Sequence, residues 1–345
     1  MVLPKLKRRA GFAALLLTIL LVLSACGKST GGGIVEGKVN VITSFYPIYE
    51  FAKAIGGEEA NVINLLPTGV EPHDWTPRSQ DILNTSKAQL FLYNGAGLEG
   101  WVPNFLKGLN ADATVKPIEV SQGIKLIEST GDDGHGHGQA SNHDEAGTEN
   151  EHSHEDEDHD ANHESEGETD SHAVDPHTWV SPKSAMIMAE NIKNSYIEAD
   201  PAHQELYEAR YEELVSKLQA LDAKFTEQLS SLPKKEIVVS HQAFGYLCRD
   251  YNLTQHAIMG LSPEAEPRAQ DLITLAKMVK EEGIRYIFFE ELVSDKLAKT
   301  LAAEAGVETL VLNPVEGLTK DQEQAGDNYF TLMEKNLQNL MLALQ

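Results

Sequence analysis

Short apolar segments that alternate with helical patterns are the feature that most constrains the fold of this 345-residue chain. Most helical patterns begin at a capping residue or a proline, and they alternate with strand candidates of five or six residues. The strand candidates are 39–43, 61–66, 89–93 and 115–120 in a first run, and 236–240, 254–258, 286–290 and 308–312 in a second. Alternation of this kind predicts parallel sheets with helices on both faces. We therefore expect an α/β protein with two lobes of about four strands each.

A long helical pattern at 202–229, charged on its outer face, joins the two runs and predicts a rigid connection between the lobes. The expected parts are a signal peptide at 1–25, a flexible tether at 26–37, an N-terminal lobe at 38–200, a linking helix at 201–232 and a C-terminal lobe at 233–345. Ligands of open α/β sheets bind beyond the carboxyl ends of the strands. A ligand is therefore expected in the cleft between the lobes.

The N-terminus has the pattern of an export signal. Four basic residues at positions 5–9 precede an apolar run at 10–23, which is too short for a good membrane span. The run ends in LSAC (23–26), which resembles the lipobox of bacterial lipoproteins. That resemblance implies that Cys26 becomes the lipidated first residue of the mature chain. The other cysteine, Cys248, lies in a helical pattern and is expected to be a core thiol, and two cysteines exclude a cysteine-based zinc site.

The segment 132–172 consists mainly of His, Asp, Glu, Gly, Ser and Asn. It carries 15 carboxylates and eight of the 13 histidines, and no Lys or Arg occurs from 126 to 182. Burying so many anions without counter-charge would cost their hydration, so we expect a solvated, disordered loop. Its histidines are His135, His137, His143, His152, His154, His159, His163 and His172. Imidazole and carboxylate bind borderline divalent metals, which predicts an auxiliary metal-collecting loop; a solvated linker without a ligand role is the alternative.

Four candidate metal ligands follow four different strands. His73 comes after the second strand, His177 after the fourth, His241 directly after IVVS (237–240), and Glu290 ends YIFFE (286–290). Three imidazoles and one carboxylate form a natural tetrahedral zinc set. Two of them come from each lobe, so the ion is expected at the interface of the lobes. The alternative for any one of these histidines is a hydrogen-bonded structural role.

Five segments around these residues resemble the signature segments of cluster A-I solute-binding proteins, the zinc and manganese receptors of ABC importers. They are EPHDW (71–75), DPHTW (175–179), VSHQAFGYL (239–247), GLSPEAEP (260–267) and FFEELVSDKLA (288–298). The resemblance covers about 39–344. It implies two α/β lobes bridged by a rigid helix, with metal ligands at His73, His177, His241 and Glu290. If the strand ends one residue later than we place it, Glu291 is the ligand instead of Glu290.

His241 and the histidine-rich loop indicate the zinc branch of this family, because members with a carboxylate at the position of His241 tend to handle manganese. Nitrogen ligands also favour zinc over the harder manganese ion. Asp74 and Asp175 are candidates for orienting the imidazoles from outside the ligand set. Trp75 and Trp179 either wall the site from water or simply pack in the core.

A dinucleotide-type GxGxxG occurs in NGAGLEGW (94–101), directly after the third strand. We interpret it as a tight surface loop rather than a nucleotide site, because Glu99 would place a negative charge against a pyrophosphate and because the motif is not on the first strand of its unit.

The sequence therefore predicts an extracytoplasmic receptor that captures Zn²⁺ and delivers it to an ABC-type permease. We expect a monomer, lipid-anchored through Cys26 to the outer face of the cell membrane, that binds no nucleic acid and is not an enzyme. The alternatives are a manganese receptor of the same family and a lipid-anchored adhesin with a structural metal. An exported zinc hydrolase is disfavoured because no HExxH motif occurs in the sequence.

Overall fold

The computed structural model describes residues 33–128, 174–264 and 266–345. The described residues from Val35 onward form one compact unit. The predicted signal peptide, Cys26, most of the tether and the histidine-rich loop 132–172 lie outside the described residues. Within the described part, no helix is long and apolar enough to cross a membrane.

The first half of the chain alternates strands and helices as predicted. Its elements are β1 Val39–Thr43, α1 Tyr46–Gly56, β2 Ala60–Asn64, α2 Ser79–Thr85, β3 Leu90–Tyr93, α3 Val102–Lys107, β4 Lys116–Glu119 and α4 Pro182–Ala199. The expected strand positions agree with the structure to within two residues. Helix α2 is shorter than the predicted segment from 76 to 87, and α3 was not predicted.

The second half follows the long helix α5. Its elements are α5 Gln204–Ser230, β5 Glu236–Val239, α6 Gly245–Tyr251, β6 Thr254–Ala257, α7 Ala269–Glu281, β7 Tyr286–Phe289, α8 Lys296–Ala305, β8 Glu308–Val311, α9 Lys320–Ala325 and α10 Tyr329–Ala343. The last two helices were not predicted from the sequence. The C-terminal helix α10 packs against α5, so it belongs to the core of the molecule.

Each half contains one four-stranded parallel sheet, and the two sheets have the same strand order. The orders are β2-β1-β3-β4 and β6-β5-β7-β8. Every pairing is parallel. The central strand β1 is fully buried, whereas the edge strand β4 is mostly exposed and contains a proline, Pro117; proline is tolerated at an edge because it lacks a ladder N–H. The expected α/β class with two parallel sheets is confirmed.

Helix α5 is the long connection between the two sheets. It has 27 residues and is therefore about 40 Å long. It buries one apolar stripe against α1, α4 and α10. The stripe comprises Tyr207, Leu214, Leu218, Leu221, Phe225 and Leu229. The spacing of three or four residues between most of these positions keeps them on one helical face, while the opposite face stays charged.

Replacing Leu218 by alanine is expected to lower the free energy of unfolding by about 2–5 kcal/mol, because its fully buried side chain would leave a cavity in the stripe. Leu206→Ala on the same helix is the matched control. Its side chain is 42% exposed, so its change should stay within about 0.5 kcal/mol. Urea unfolding of both variants measures the difference, and equal losses would contradict a buried stripe.

Candidate metal centre

Three imidazoles and one carboxylate converge between the two halves. His73, His177, His241 and Glu316 each offer one ligand atom, and all four atoms lie within 4.8 Å of one another. Nε2 of His177 is 3.1 Å from Nε2 of His73 and 3.2 Å from Nε2 of His241. Oε1 of Glu316 is 3.5 Å from Nε2 of His177 and 3.7 Å from the other two Nε2 atoms. Ligands of one tetrahedral zinc ion stand about 3.3 Å apart, so these spacings suit a single ion.

Each ligand atom is carried beyond the carboxyl end of a strand, where parallel α/β sheets place their ligands. His73 lies in the loop after β2, and His241 lies two residues beyond the end of β5. His177 directly precedes the 3₁₀ turn Thr178–Val180. Glu316 lies in the loop between β8 and α9. Two ligands come from each half of the chain, so the cluster lies where the halves meet.

A carboxylate contacts the outward nitrogen of two of the three imidazoles. Oδ1 of Asp175 is 2.8 Å from Nδ1 of His177 and also accepts the backbone N–H of His177. The oxygens of Glu290 are 2.7 and 2.8 Å from Nδ1 of His241. Such carboxylate–imidazole pairs fix the tautomer, because a proton on Nδ1 leaves Nε2 free to bind a metal. Both rings therefore point Nε2 into the cluster.

The structure revises the expected position of Glu290. Strand β5 pairs with β7 with Val238 opposite Ile287, so His241 and Glu290 each lie three residues farther along two neighbouring strands. Being adjacent, they bind each other, and Glu290 reaches the outer nitrogen of His241 instead of the centre of the cluster. Among the described residues, the carboxylate that faces all three imidazoles is Glu316, whereas the sequence predicted Glu290 there.

Of the other predicted residues, only Asp175 lies at the site. Asp175 occupies the expected orienting position, whereas Asp74 is exposed. Glu291 accepts hydrogen bonds from Asn313 (2.8 Å) and Gln322 (2.6 Å), outside the cluster. Trp75 packs edge-on against the ring of Trp101 at 5.6 Å, in the manner of an ordinary core aromatic.

Glu316 is the residue that the sequence analysis missed. It lies five residues beyond the end of β8. The rule that selected the other candidates, a ligand-type side chain after a strand, would have selected it if it had been applied to the eighth strand. Backbone geometry also marks the position: Val315, its neighbour, has a φ of 60°, which is rare for a β-branched residue. Oδ1 of Asn313 accepts the N–H of Val315 at 2.7 Å and stabilises this turn.

Buried polar contacts connect the loops that carry the ligands. Nε1 of the fully buried Trp179 donates to the carbonyl oxygen of Pro314 at 2.7 Å, which links the His177 segment to the Glu316 loop. Asn94 donates to the carbonyl oxygen of Pro176 at 2.8 Å and accepts from the hydroxyl of Thr178 at 2.9 Å. These contacts hold the residues on either side of His177 in the sequence. The position of its ring is therefore set by residues from distant parts of the chain.

Glu99 explains the role of the glycine-containing loop after β3. Its buried carboxylate accepts the N–H groups of Asn94 and Gly95 at 2.8 and 3.0 Å and the hydroxyl of Ser44 at 2.7 Å. Burial raises the pKa of Glu99. The carboxylate thus holds the turn that presents Asn94 to the His177 segment.

Charged neighbours shift the pKa values of His177, His241 and Glu316 within the cluster. Burial lowers the pKa of His241, but the charges and hydrogen bonds of Glu290 and Glu316 together outweigh burial and raise this pKa to about 10. The pKa of His177 is also raised, because Asp175 and Glu316 outweigh burial. Burial alone would raise the pKa of Glu316, yet the three facing imidazoles hold it well below its usual range. An ionised carboxylate facing three imidazoles suits a site where a metal cation replaces the imidazole protons.

The carboxylate of Glu316 supports metal binding directly. Its side chain is 1% exposed, and among the residues that the structure describes neither of its oxygens has a hydrogen-bond partner. A buried carboxylate without compensation is costly, and coordination to a metal is one of the few arrangements that offset that cost. The donor set and the spacing therefore fit one divalent metal ion.

Gly245 leaves room for the carboxylate that orients His177. A Cβ at Gly245 would overlap Oδ2 of Asp175. We therefore expect Gly245→Ala to displace Asp175 and to weaken metal binding by about 10–100-fold, the usual effect of losing a ligand-orienting partner. Chelator competition measures the affinity. Gly100→Ala is the control, since its Cβ would have no neighbour within 4 Å; unchanged affinity in Gly245→Ala would contradict the role of Asp175.

Two parallel α/β sheets with a buried cluster of three histidines and one glutamate at their junction define a two-lobed metal-binding protein. The chain belongs to the ZnuA family, described as zinc-uptake complex component A, periplasmic, whose family model matches residues 41–343.

Relatives and solved structures agree with this assignment. The high-affinity zinc uptake system protein ZnuA of Bacillus subtilis is 39% identical over 323 residues, which cover 93% of each chain. Zinc-binding protein AdcA of Streptococcus pyogenes is 42% identical over 312 residues, which cover 90% of this chain but 56% of that protein. The chain therefore spans little more than half the length of AdcA. The Zn(II)-bound ZnuA-like domain of Streptococcus pneumoniae AdcA aligns with a TM-score of 0.69 and 37% identity, covering 89% of this chain and 99% of that one.

Proposed function

We propose that this protein is an extracytoplasmic receptor that captures Zn²⁺ and delivers it to the membrane permease of an ABC importer. The observation that carries the proposal is the cluster of His73, His177, His241 and Glu316. Oε1 of Glu316 faces all three imidazole nitrogens, and both of its oxygens lack hydrogen-bond partners among the described residues. The relatives named for zinc binding and zinc uptake support it.

Zinc fits the cluster better than manganese does. Three of the four candidate ligand atoms are imidazole nitrogens, which zinc prefers, whereas manganese prefers sites dominated by oxygen. The four atoms are also close enough for tetrahedral coordination, the usual geometry of zinc. A manganese receptor remains the alternative outcome of the binding test.

A receptor also fits better than a zinc hydrolase. A catalytic zinc site keeps one coordination position for water, whereas here four protein groups surround the proposed ion and three of them are nearly or fully buried. Capture requires only reversible binding, for which a closed protein cage is suitable. A surface adhesin with a structural metal would share this geometry. A deletion strain distinguishes the two, because loss of the receptor would reduce zinc uptake and loss of an adhesin would not.

The location and partners follow from sequence features outside the described residues and remain part of the proposal. The export signal and the LSAC segment support lipidation at Cys26, which would hold a monomeric receptor at the outer face of the membrane, close to its permease. The proposed lobes are 38–200 and 233–345, with the linking helix at 201–232.

Calorimetric titration of the chain from Cys26 onward, with a competing chelator, tests the function. We expect one tight zinc ion per chain and much weaker manganese binding. Equal or tighter manganese binding would make the protein a manganese receptor, and the lack of any tight site would refute the proposal.

Deleting 132–172 is expected to leave the tight site intact and to remove only weaker, additional zinc ions. The reason is geometric: Glu128 and Val174, on either side of the segment, form a β-bridge, so the flanking chain ends are already adjacent. Titration should give a dissociation constant within about threefold of the full chain, a difference below 1 kcal/mol. A full-length variant with its eight loop histidines changed to serine is the control, and loss of the tight site in both would place that site in the loop.

A further inference from the structure

Solvent reaches the metal cluster mainly from one side. The side chains of His177 and His241 are 0% exposed and that of Glu316 is 1% exposed. His73 keeps 10% of its side-chain surface, and the neighbouring Glu71 keeps 15%. An ion that enters or leaves the cluster in this conformation therefore passes His73 and Glu71.

Glu71 places a second carboxylate beside the metal-facing nitrogen of His73. Its Oε1 lies 3.9 Å from Nε2 of His73, and Oε1 of Glu316 lies 3.7 Å from the same nitrogen. The two oxygens of Glu71 share the backbone N–H of His73, at 3.1 and 3.0 Å. A carboxylate has about four lone-pair positions, so one shared donor leaves Glu71 able to bind a cation.

The loop of Glu71 also contacts the loop of Glu316 across the two halves. The N–H of Gly69 donates to the carbonyl oxygen of Leu318 at 2.8 Å. A Cβ at Gly317 would lie 3.7 Å from the carbonyl oxygen of Val70, so the two backbones are close. Glu71 is therefore held at the junction of the halves, between the buried cluster and solvent.

We propose that Glu71 is an exchange ligand: it binds the incoming zinc ion before the four residues of the cluster close around it, and it holds the ion again as it leaves. This inference rests on the proposed function and specifies a step of it. A closed four-ligand site exchanges metal only after a ligand dissociates, and zinc accepts a fifth ligand transiently. A carboxylate at the exposed side lowers the barrier in both directions, because it stabilises the intermediate arrangement more than either end state.

Stopped-flow kinetics of Glu71→Gln test the role. Glutamine has nearly the same shape and keeps a carbonyl oxygen to accept the N–H of His73, so the charge is the main change. Zinc association is followed with a fluorescent zinc indicator, and dissociation with excess chelator. We expect both rate constants to fall about tenfold, which corresponds to a barrier increase of about 1.4 kcal/mol, while the dissociation constant changes by less than about threefold. Glu58→Gln, at an exposed glutamate in the turn Gly57–Glu59, is the control and should keep both rates.

Three results would overturn the exchange role. A faster dissociation with unchanged association would make Glu71 a permanent ligand or a positioning residue of His73. A slower association with unchanged dissociation would reduce its role to electrostatic attraction of the cation. Unchanged rates would show that ions pass without Glu71. Failure of the proposed function has a different signature, because the unaltered chain would then bind no zinc tightly.

Discussion

Replacing His241 by alanine is expected to weaken zinc binding by about a hundredfold to a thousandfold. Structural zinc sites with four ligands bind with about 10–16 kcal/mol. An average ligand in such a site therefore contributes about 2.5–4 kcal/mol, and every 1.4 kcal/mol corresponds to a factor of ten in affinity. The ring of His241 is fully buried, and its Nε2 is 3.2 Å from Nε2 of His177. Alanine would therefore remove a nitrogen from within the cluster.

The change at His241 also leaves the buried Glu290 without its imidazole, so part of the loss can arise from a less stable metal-free protein. Thermal unfolding of metal-free His241→Ala separates the two effects. His256→Ala is the matched control, since that imidazole belongs to the same half, is 35% exposed and pairs with Glu236. Chelator competition should show wild-type affinity for His256→Ala. An affinity of His241→Ala within about threefold of wild type would remove His241 from the ligand set.

Replacing Glu316 by glutamine is expected to cost more zinc affinity than replacing Glu290 by glutamine. Glu316 faces all three metal-facing nitrogens, at 3.5 to 3.7 Å, so its loss removes both a ligand and the only negative charge assigned to the set. We expect a loss of about a hundredfold or more. Glu290 contacts the outer nitrogen of His241, and loss of such an orienting group costs about 10–100-fold.

The pair of glutamine variants also distinguishes two kinds of role by spectroscopy. With cobalt in place of zinc, loss of a ligand changes the coordination and hence the visible absorption bands, whereas loss of an orienting carboxylate keeps the coordination number. We therefore expect altered cobalt spectra for Glu316→Gln and nearly unchanged spectra for Glu290→Gln. The reverse result would restore Glu290 as the ligand and would contradict the arrangement in the structure. Glu291→Gln is a useful third variant, since its carboxylate binds Asn313 and Gln322 outside the cluster.

Glu316 is the member of the cluster that was not predicted from the sequence. Its position after a strand was visible in the sequence, but the loop from 312 to 319 is long enough that its path cannot be derived from local pattern. Glu290, at the very end of its strand, was the more obvious candidate. Which of the two carboxylates faces the cluster depends on which strands are neighbours. Because β5 lies beside β7, Glu290 lies beside His241 and contacts its Nδ1, which points away from the cluster.

The glycine-containing loop after β3 gives a second example. Its sequence predicted a tight surface loop. The structure has the tight turn, with Gly95 and Gly97 at positive φ, but Asn94, Leu98 and Glu99 in it are buried rather than at the surface. The function of the turn was not visible, because it depends on Asn94 reaching Pro176 and Thr178, more than 80 residues away. Hydrogen bonds between segments so distant in the chain leave no local periodic signal.

The sequence alone determined the class of fold, the positions of all eight strands to within two residues, the long connecting helix and three of the four residues that converge on the proposed ion. These features depend on local patterns of apolar residues, caps and strand ends, which act over a few residues. The tertiary structure decided the fourth member of the cluster, the partners of each imidazole and the exposure of Glu71. Those depend on which strands are neighbours and on how the two halves approach each other, and the free energy that selects such contacts comes from packing between distant segments.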